Sequence, residues 1–359
     1  MNTSTRSRCR GTSQMPSPKS RAIIAAAGAA KTQCILNEVI AHPERQALIT
    51  TFTNENLAQI EARLRAACGG TLPPHVTVMT WFTFLVNQCI RPYQRSVFGE
   101  PNVVGAFNFL GQRSRFTPKS DVHRYFLDSN RAVYRDGAAD LACELERRSS
   151  GKVTARLAAM FQDIFIDELQ DLNGYDLELL ERLFRSEVRV TAVGDPRQHT
   201  FSTNQSIKNK AFKGEGLVGW IKDKEDVCEL LIQNQCHRSN QTICDFADAL
   251  FPHMPATVSM NHSVTGHDGF FPLTRAEVLD YYEAHHPVVL RYDRNTDTLG
   301  LPARNFGLSK GSTYDRVLIF PTKSWRKYFK DGDQSQVTSK EKFYVAVTRA
   351  RFSVAHVID

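Results

Sequence analysis

Paired thiols and long apolar runs are both missing from this chain. Its eight cysteines are scattered singly and form no Cys-x-x-Cys pair, so the sequence offers no paired-thiol motif. No apolar run approaches the roughly 18 residues of a membrane-spanning helix, and no signal-type apolar core follows the N-terminus. We therefore expect a protein of the reducing cytoplasm that has no membrane partner.

Acidic residues are absent from the first 21 positions, which combine Ser, Thr, Pro and Gly with Arg and Lys. Without apolar periodicity, residues 1–21 are predicted to form a disordered basic arm, and the fold is expected to begin at Ala22. An arm that adds phosphate contacts and a misplaced start codon are alternatives. The formal charge of +7 and the pI near 9.0 suit a polyanionic partner, but many basic proteins bind no nucleic acid.

Short apolar runs alternate with helix-like stretches along most of the sequence. The helix-like stretches include residues 32–40, 56–67 and 177–184. The apolar runs, which are strand candidates, are residues 22–27, 47–51, 76–79, 164–166, 188–193 and 317–320. This alternation predicts an α/β fold in which parallel sheets are covered by helices.

The stretch from residue 91 to residue 156 interrupts the alternation with many arginines interleaved with aromatic residues. We interpret it as an insertion, within which Arg113, Arg115 and Lys119 are candidates for phosphate contacts. A solvated basic face is the alternative. Residues 206–216 form the best candidate connection between two halves of the chain.

Residues 25–32 read AAAGAAKT and have the end of a phosphate-binding loop. In such a loop, backbone N–H groups and a helix N-terminus meet phosphate oxygens, while Lys adds charge and Thr meets Mg²⁺. The usual flanking glycines are replaced by Ala25 and Ala30, so an alanine-rich helix start is a serious alternative. We expect the methyl group of Ala30 to be tolerated provided that this residue keeps a negative φ.

Asp167 and Glu168 are adjacent carboxylates at the carboxyl end of an apolar strand candidate. One can hold Mg²⁺ while the other polarises the water that attacks a terminal phosphate. A solvated acidic turn after a strand is the alternative for any single pair of this kind.

Read in order, the segments resemble the UvrD/Rep-like branch of superfamily 1 helicases across nearly the whole ordered length. After the loop come ITTFTN (49–54), VMTWFTF (78–84), DELQD (167–171), VGDPRQ (193–198), HRS (237–239), SKG (309–311) and YVAVTRAR (344–351). The resemblance implies two RecA-like P-loop NTPase domains, with a small, mostly helical insertion in the first. The implied first domain covers residues 22–85 and 157–215, the basic insertion 86–156, and the second domain 216–359.

The resemblance also implies ATP and Mg²⁺ as cofactors and assigns roles to individual residues. Gly28, Ala29, Ala30, Lys31 and Thr32 would meet the phosphates, with His237 stacking on adenine and Gly311 nearby. Thr32 and Asp167 would hold Mg²⁺, Glu168 would activate water, and Gln198, Arg238 and Arg349 would sense the terminal phosphate. A buried structural role is the alternative for His237.

Single-stranded DNA is the partner that the resemblance implies. Phe52, Asn54, Thr80, Trp81 and Phe201 match positions along the DNA path, where aromatic rings stack on bases. Core packing is the alternative for each aromatic residue taken singly. Thr203 stands where the family usually has a DNA-stacking Trp, and Thr313 replaces a Glu.

Only a short stretch separates Ser239 from Phe306, where larger relatives insert an accessory domain. The implied architecture is therefore two motor domains with one appendage, and processive unwinding by this chain alone is not expected. Two functions fit: a DNA-stimulated ATPase that translocates on single strands with 3′ to 5′ polarity, or a regulatory module whose nucleotide-dependent closure licenses a partner nuclease. Residues 90–92 (IRP) and 98–99 (FG) are similar to the helicase-type subunit of Gabija antiphage systems.

Overall fold

A computed structural model describes residues 20–114, 116–203, 206–332 and 337–359 of the chain. The predicted arm lies outside these ranges, except that Ser20 and Arg21 already belong to the first strand, two residues before the expected start. In chain order the strands are β1 (Ser20–Ala25), β2 (Ala47–Thr51), β3 (Val76–Thr80), β4 (Ala106–Asn108), β5 (Ala132–Tyr134), β6 (Asp163–Asp167), β7 (Arg189–Gly194), β8 (Cys228–Gln233), β9 (Gln235–Cys236), β10 (Val258–Ser259), β11 (Gly269–Leu273), β12 (Val288–Arg291), β13 (Ala303–Asn305), β14 (Tyr314–Phe320) and β15 (Ala350–Val357).

Helices connect most of these strands. They are α1 (Lys31–Ala41), α2 (Asn54–Ala67), α3 (Trp81–Phe84), α4 (Arg95–Phe98), α5 (Val122–Phe126), α6 (Ala138–Arg148), α7 (Lys152–Met160), α8 (Tyr175–Phe184), α9 (Gly216–Lys222), α10 (Gln241–Ala249), α11 (Val278–His285), α12 (Lys323–Asp331) and α13 (Lys340–Val347). A π-helical segment, Leu85–Ile90, continues α3. Within the described ranges, every helix is too short or too polar to cross a membrane.

The first sheet is six-stranded and parallel, in the order β3-β2-β6-β7-β1-β8. Helices cover its faces, which explains why strands such as β1 and β6 read as short, almost uninterrupted buried runs. Because parallel strands end at one edge of a sheet, the loops that follow β1, β6 and β7 meet there. We call the part built on this sheet, residues 20–233, the first lobe.

Strand β8 shows that the first lobe extends further along the chain than the sequence indicated. It pairs with β1 from Ser20↔Cys228 to Ala25↔Gln233, although residues from 216 onward were assigned to the second domain. Helix α9 also packs into the core of this lobe through Trp220 and Ile221. The expected connection at 206–216 is therefore wrong, and the chain leaves the first lobe at Asn234.

The second sheet is five-stranded and also parallel, in the order β11-β15-β14-β12-β13. Its core joins Val317 of β14 and Val354 of β15 to Ile243 of α10 and Phe343 of α13. We call this part, residues 234–359, the second lobe. Two parallel sheets flanked by helices confirm the predicted α/β class.

The insertion packs onto the first lobe without a separate core. Leu141 and Leu145 of α6 lie in the same hydrophobic cluster as Leu177 and Leu180 of α8. Its strands β4 and β5 form a small parallel pair beside these helices.

Two of the three basic residues proposed to contact phosphate are held by one buried carboxylate. Lys119 Nζ lies 2.6 Å from Oδ1 of Asp140, and Arg113 Nη1 lies 3.5 Å from Oδ2. Arg115 lies outside the described residues. At least part of this basic run therefore serves the packing of the insertion.

Candidate functional site

A cleft of about 390 Å³ lies between the two lobes, at the carboxyl edge of the first sheet. A volume of this size is within the usual range for small-molecule sites. Every residue that the sequence assigned to phosphate chemistry or nucleotide contact lines it, namely Gly28, Ala29, Ala30, Lys31, Thr32, Asp167, Glu168, Gln198, His237, Arg238, Gly311 and Arg349.

The loop between β1 and α1 has the conformation of a phosphate cradle. Lys31 Nζ donates to the carbonyl oxygens of Ala25 (3.2 Å) and Ala26 (3.0 Å), so the ammonium group lies back over the loop. Gly28 has φ 76°, and a Cβ there would lie 2.8 Å from Arg238 Cβ, so this position requires glycine. The loop thus presents its amides and the N-terminus of α1 to the cleft.

Ala30 does not meet the condition, a negative φ, under which its methyl group was expected to be tolerated. It is the N-cap of α1 and has φ 56° and ψ 32°, the left-handed conformation. The chain reverses there to enter the helix, a geometry for which the family's glycine carries no Cβ penalty. For an alanine the left-handed conformation costs about 1–2 kcal/mol. The alanine that stands here in place of the family's glycine is therefore accommodated with backbone strain.

Oxygen ligands suited to a divalent cation meet beside this loop. Thr32 Oγ1 donates to Asp167 Oδ2 at 2.8 Å, and burial, followed by the charge of Glu168, raises the pKa of Asp167 to about 6. Hydroxyl and carboxylate oxygens match the preference of Mg²⁺. Within the described ranges, no cluster of three or more His, Cys, Asp or Glu side chains forms a complete metal site. A cation would therefore complete its coordination with nucleotide oxygens and water.

Lys310 brings a positive charge from the second lobe to the acidic edge of the first. Its Nζ lies 2.7 Å from Asp171 Oδ2 and 3.5 Å from Glu168 Oε2. Burial opposes the ionisation of Glu168, but the ammonium groups of Lys310 and Lys31 outweigh it and hold the pKa of Glu168 below its ordinary value. The sequence identified the Lys-Gly segment but assigned no role to Lys310 or Asp171.

Two arginines of the second lobe face the phosphate loop. Arg238 Nη1 donates to the carbonyl of Thr348 (2.9 Å), and Arg349 Nη2 donates to Gln198 Oε1 (3.4 Å). Burial, reinforced by the positive charge of Arg238, lowers the pKa of Arg349 to about 9. The cleft therefore concentrates positive charge opposite Asp167 and Glu168.

His237 is exposed at the cleft, which excludes the alternative of a buried structural histidine. Its backbone N–H donates to the carbonyl of Gly28 at 2.9 Å, so the segment containing it lies directly on the phosphate loop. Helix α2 contributes Gln59 and Arg63 to the opposite wall. A lone Arg on an amphipathic helix carries no sequence signal, and the sequence therefore missed Arg63.

A second, mainly apolar pocket of about 210 Å³ lies in the first lobe beside the insertion. The rings of Phe52 and Phe201 lie 5.2 Å apart on its wall, and Phe201 is 52% exposed. Phe82 and Phe109, whose rings are 5.0 Å apart, complete an aromatic lining that the sequence only partly identified. Partly exposed rings on a concave surface can stack on nucleobases.

Trp81 does not fit its expected role as a base-stacking residue. Its side chain is only 3% exposed, and its indole Nε1 donates to Asp176 Oδ1 at 2.7 Å. Thr203, at the position of the family's Trp, donates to the other oxygen of Asp176. Trp81 therefore belongs to the lining of the pocket but exposes almost none of its surface.

Asn54 and Thr80 lie at helix starts near the aromatic pocket. Asn54 is the exposed first residue of α2, and Thr80 Oγ1 accepts from Thr83 N (3.2 Å) at the start of α3. The structure does not place either side chain in the lining of the pocket.

Residues 127–207 match a family model described as the UvrD/REP helicase N-terminal domain. This stretch contains Asp167, Glu168 and Gln198, and the match confirms the resemblance recognised in the sequence. No curated protein matches the chain.

The fold is similar to that of the Arterivirus nonstructural protein 10, a helicase. Its crystal structure matches with a TM-score of 0.50 and 15% identity over 95% of this chain and 59% of that one. A structure of the same protein in complex with DNA matches with a TM-score of 0.50 and 15% identity, covering 95% of this chain and 60% of that one. At this identity the likeness concerns the fold, and the chain spans about three fifths of the length of that helicase.

Proposed function

Because residues 127–207 match the UvrD/REP helicase N-terminal domain, we propose that the chain is a UvrD/Rep-like superfamily 1 helicase that hydrolyses ATP to move along single-stranded DNA. One observation carries this proposal: Lys31 and Glu168 of the first lobe share a single cleft with Arg238 and Arg349 of the second. Phosphoryl transfer depends mainly on positioning and on the stabilisation of spread negative charge. Such a cleft can perform hydrolysis only when both lobes contribute.

The side chains divide the work of hydrolysis. Lys31 neutralises phosphate charge, and Glu168, kept ionised by Lys310, accepts the proton of the attacking water. Arg349 and Arg238 stabilise the charge on the transferring group with their planar guanidinium forks. Thr32 and Asp167 would hold Mg²⁺, which when bound supplies further charge neutralisation.

Hydrolysis would be coupled to movement by closure of the cleft. The arginines belong to the second lobe and the phosphate loop to the first, so nucleotide contacts favour the closed arrangement of the lobes. The aromatic pocket around Phe52 and Phe201 lies on the first lobe. A DNA strand bound there would shift when the two lobes move relative to each other. The polarity proposed from the resemblance is 3′ to 5′.

A steady-state ATPase titration with single-stranded DNA tests the proposal. We expect strong stimulation by DNA, loss of turnover in Arg349→Ala, and loss of the stimulation in Phe52→Ala combined with Phe201→Ala. Leu279→Ala, an exposed apolar residue on α11, is the matched control and should keep the stimulation. A flat response across DNA concentrations would rule out the translocase.

The strained phosphate loop favours a second candidate function. An alanine in the left-handed conformation next to the phosphates is compatible with slow turnover, as expected of a nucleotide-sensing subunit that licenses a partner nuclease. The weak sequence similarity to the Gabija helicase-type subunit points the same way. In that case DNA would leave the ATPase rate unchanged, and addition of the nuclease would stimulate it.

A further inference from the structure

A tyrosine hydroxyl of the second lobe joins two loops of the first. Tyr344 of α13 is buried, and its hydroxyl accepts from the backbone N–H of Ala27 (3.3 Å) in the phosphate loop. The same hydroxyl donates to Oδ2 of Asp195 (3.1 Å), directly after β7. This one oxygen atom therefore connects α13 of the second lobe to two loops of the first lobe.

Both carboxylate oxygens of Asp195 accept hydrogen bonds, and the side chain has no exposed surface. Its Oδ1 accepts from Arg197 Nε (2.9 Å), while Oδ2 accepts from both Tyr344 and Gln198 Nε2 (2.9 Å). Burial opposes its ionisation, but the charges of Arg197 and Lys31 prevail and hold the pKa of Asp195 below its ordinary value. The group is therefore a carboxylate that only accepts hydrogen bonds.

The carboxylate determines which way the amide of Gln198 points. Because Asp195 can only accept, Gln198 must direct Nε2 toward it, and Oε1 is then left to accept from Arg349 Nη2 (3.4 Å). A continuous buried path of hydrogen bonds runs from Ala27 N through Tyr344, Asp195 and Gln198 to Arg349. The reversed amide would break both hydrogen bonds that Gln198 makes in this path, the one with Asp195 and the one with Arg349.

We infer that Tyr344 is a positioning residue for the ATPase: its hydroxyl ties docking of the second lobe to the orientation of Gln198. Neither Tyr344 nor Asp195 lines the cleft, so both act through Gln198 and the phosphate loop. The ring of Tyr344 packs against Phe251 and lies under the guanidinium of Arg197, contacts that Tyr344→Phe would keep. The inference rests on the proposed hydrolysis of ATP.

Steady-state kinetics of Tyr344→Phe test this role. We expect kcat with saturating DNA to fall by about tenfold while KM for ATP stays within about twofold, because the hydroxyl orders the transition-state contacts without touching bound nucleotide. The double variant Tyr344→Phe with Gln198→Ala should be no slower than Gln198→Ala alone, since the two act in one path. Additive losses, a wild-type kcat or a change confined to KM would overturn the inference.

Tyr328→Phe is the matched control, because Tyr328 packs against Trp325 of the same lobe at a different place. It should keep the wild-type kcat, whereas an equal loss in both variants would indicate a general effect of hydroxyl removal. Hydrogen exchange in nucleotide-free protein separates this inference from the proposed function. Tyr344→Phe should accelerate exchange of the Ala27 amide even if the wild-type chain hydrolyses no ATP, and unchanged exchange would refute the contact.

Discussion

Lys310 of the second lobe places its ammonium nitrogen 2.7 Å from Oδ2 of Asp171 in the first. Both side chains are largely buried, and Glu168 shares the same cation at 3.5 Å. Burial, reinforced by Glu168 and opposed by Lys310, raises the pKa of Asp171 to about 7. The Lys310 ammonium group therefore opposes the effect of burial on both carboxylates and joins the two lobes at the carboxyl edge of the first sheet.

Replacing this cation should change the pH dependence of hydrolysis. In Lys310→Ala the pKa of Glu168 should rise, because a neighbouring positive charge that favours the carboxylate is lost. The acid limb of the ATPase pH profile should then move to higher pH, as measured by initial rates from acid to neutral pH. Lys323→Ala, an exposed lysine of α12, should leave the profile unchanged, and an unshifted limb in Lys310→Ala would show that Lys310 does not influence the base.

Lys31→Ala and Glu168→Gln should each abolish ATP turnover and leave the fold intact, because both side chains act on phosphate chemistry. The two should differ in nucleotide binding. Lys31→Ala should weaken the affinity for ATP, whereas Glu168→Gln should keep it and trap the nucleotide, as measured by binding of labelled ATP. Wild-type turnover in Glu168→Gln would contradict its assignment as the base.

Ala30→Gly should stabilise the protein by about 1 kcal/mol, because glycine adopts the left-handed conformation without the Cβ penalty. A rise in Tm by calorimetry would show this, and the ATPase rate should increase if strain slows turnover. Ala29→Gly is the control, since Ala29 is buried and has no positive φ. It should lower Tm, and a lower Tm in Ala30→Gly as well would contradict the strained conformation.

His356 should make folding stability depend on pH. Burial against Phe270 and Phe329 lowers its pKa to about 4, whereas the unfolded chain titrates near 6.5. Between these values the unfolded state binds more protons, so stability is full above about pH 6.5 and falls as the pH drops toward 4, by up to about 3 kcal/mol. Urea unfolding of His356→Phe should lose this component, while His253→Gln, an exposed histidine, should retain it.

The order of the motifs along the chain made the cleft predictable from the sequence. Lys31, Thr32, Asp167 and Glu168 lie at strand ends or helix starts, and it was the resemblance of all segments read in order, not either motif alone, that predicted where they meet. Features set by distant contacts were not predictable. Trp81 is buried because its indole bonds to Asp176, a residue on a helix far along the chain, and β8 belongs to the first sheet because β1 offers it a free edge.

The conformation of Ala30 could not be predicted from the sequence either. Its position in the loop could be recognised, but its φ depends on how the chain reverses between β1 and α1, and an alanine there gives no indication of a left-handed residue. Tyr344 is a similar case. It opens a recognisable segment, yet its partners Ala27 and Asp195 become apparent only when the lobes are docked.

The chain leaves β8 beside the cleft, so the covalent connection between the lobes leads directly into residues that line the cleft. Gln233 still pairs in the first sheet, and a few residues later His237 and Arg238 already lie against Gly28. A rotation of the second lobe about Asn234 would therefore displace these two side chains before any other part of that lobe. Flexible residues inserted after Asn234 would let the lobes rotate relative to each other without displacing Arg238. ATP hydrolysis and rotation of the lobes would then become independent.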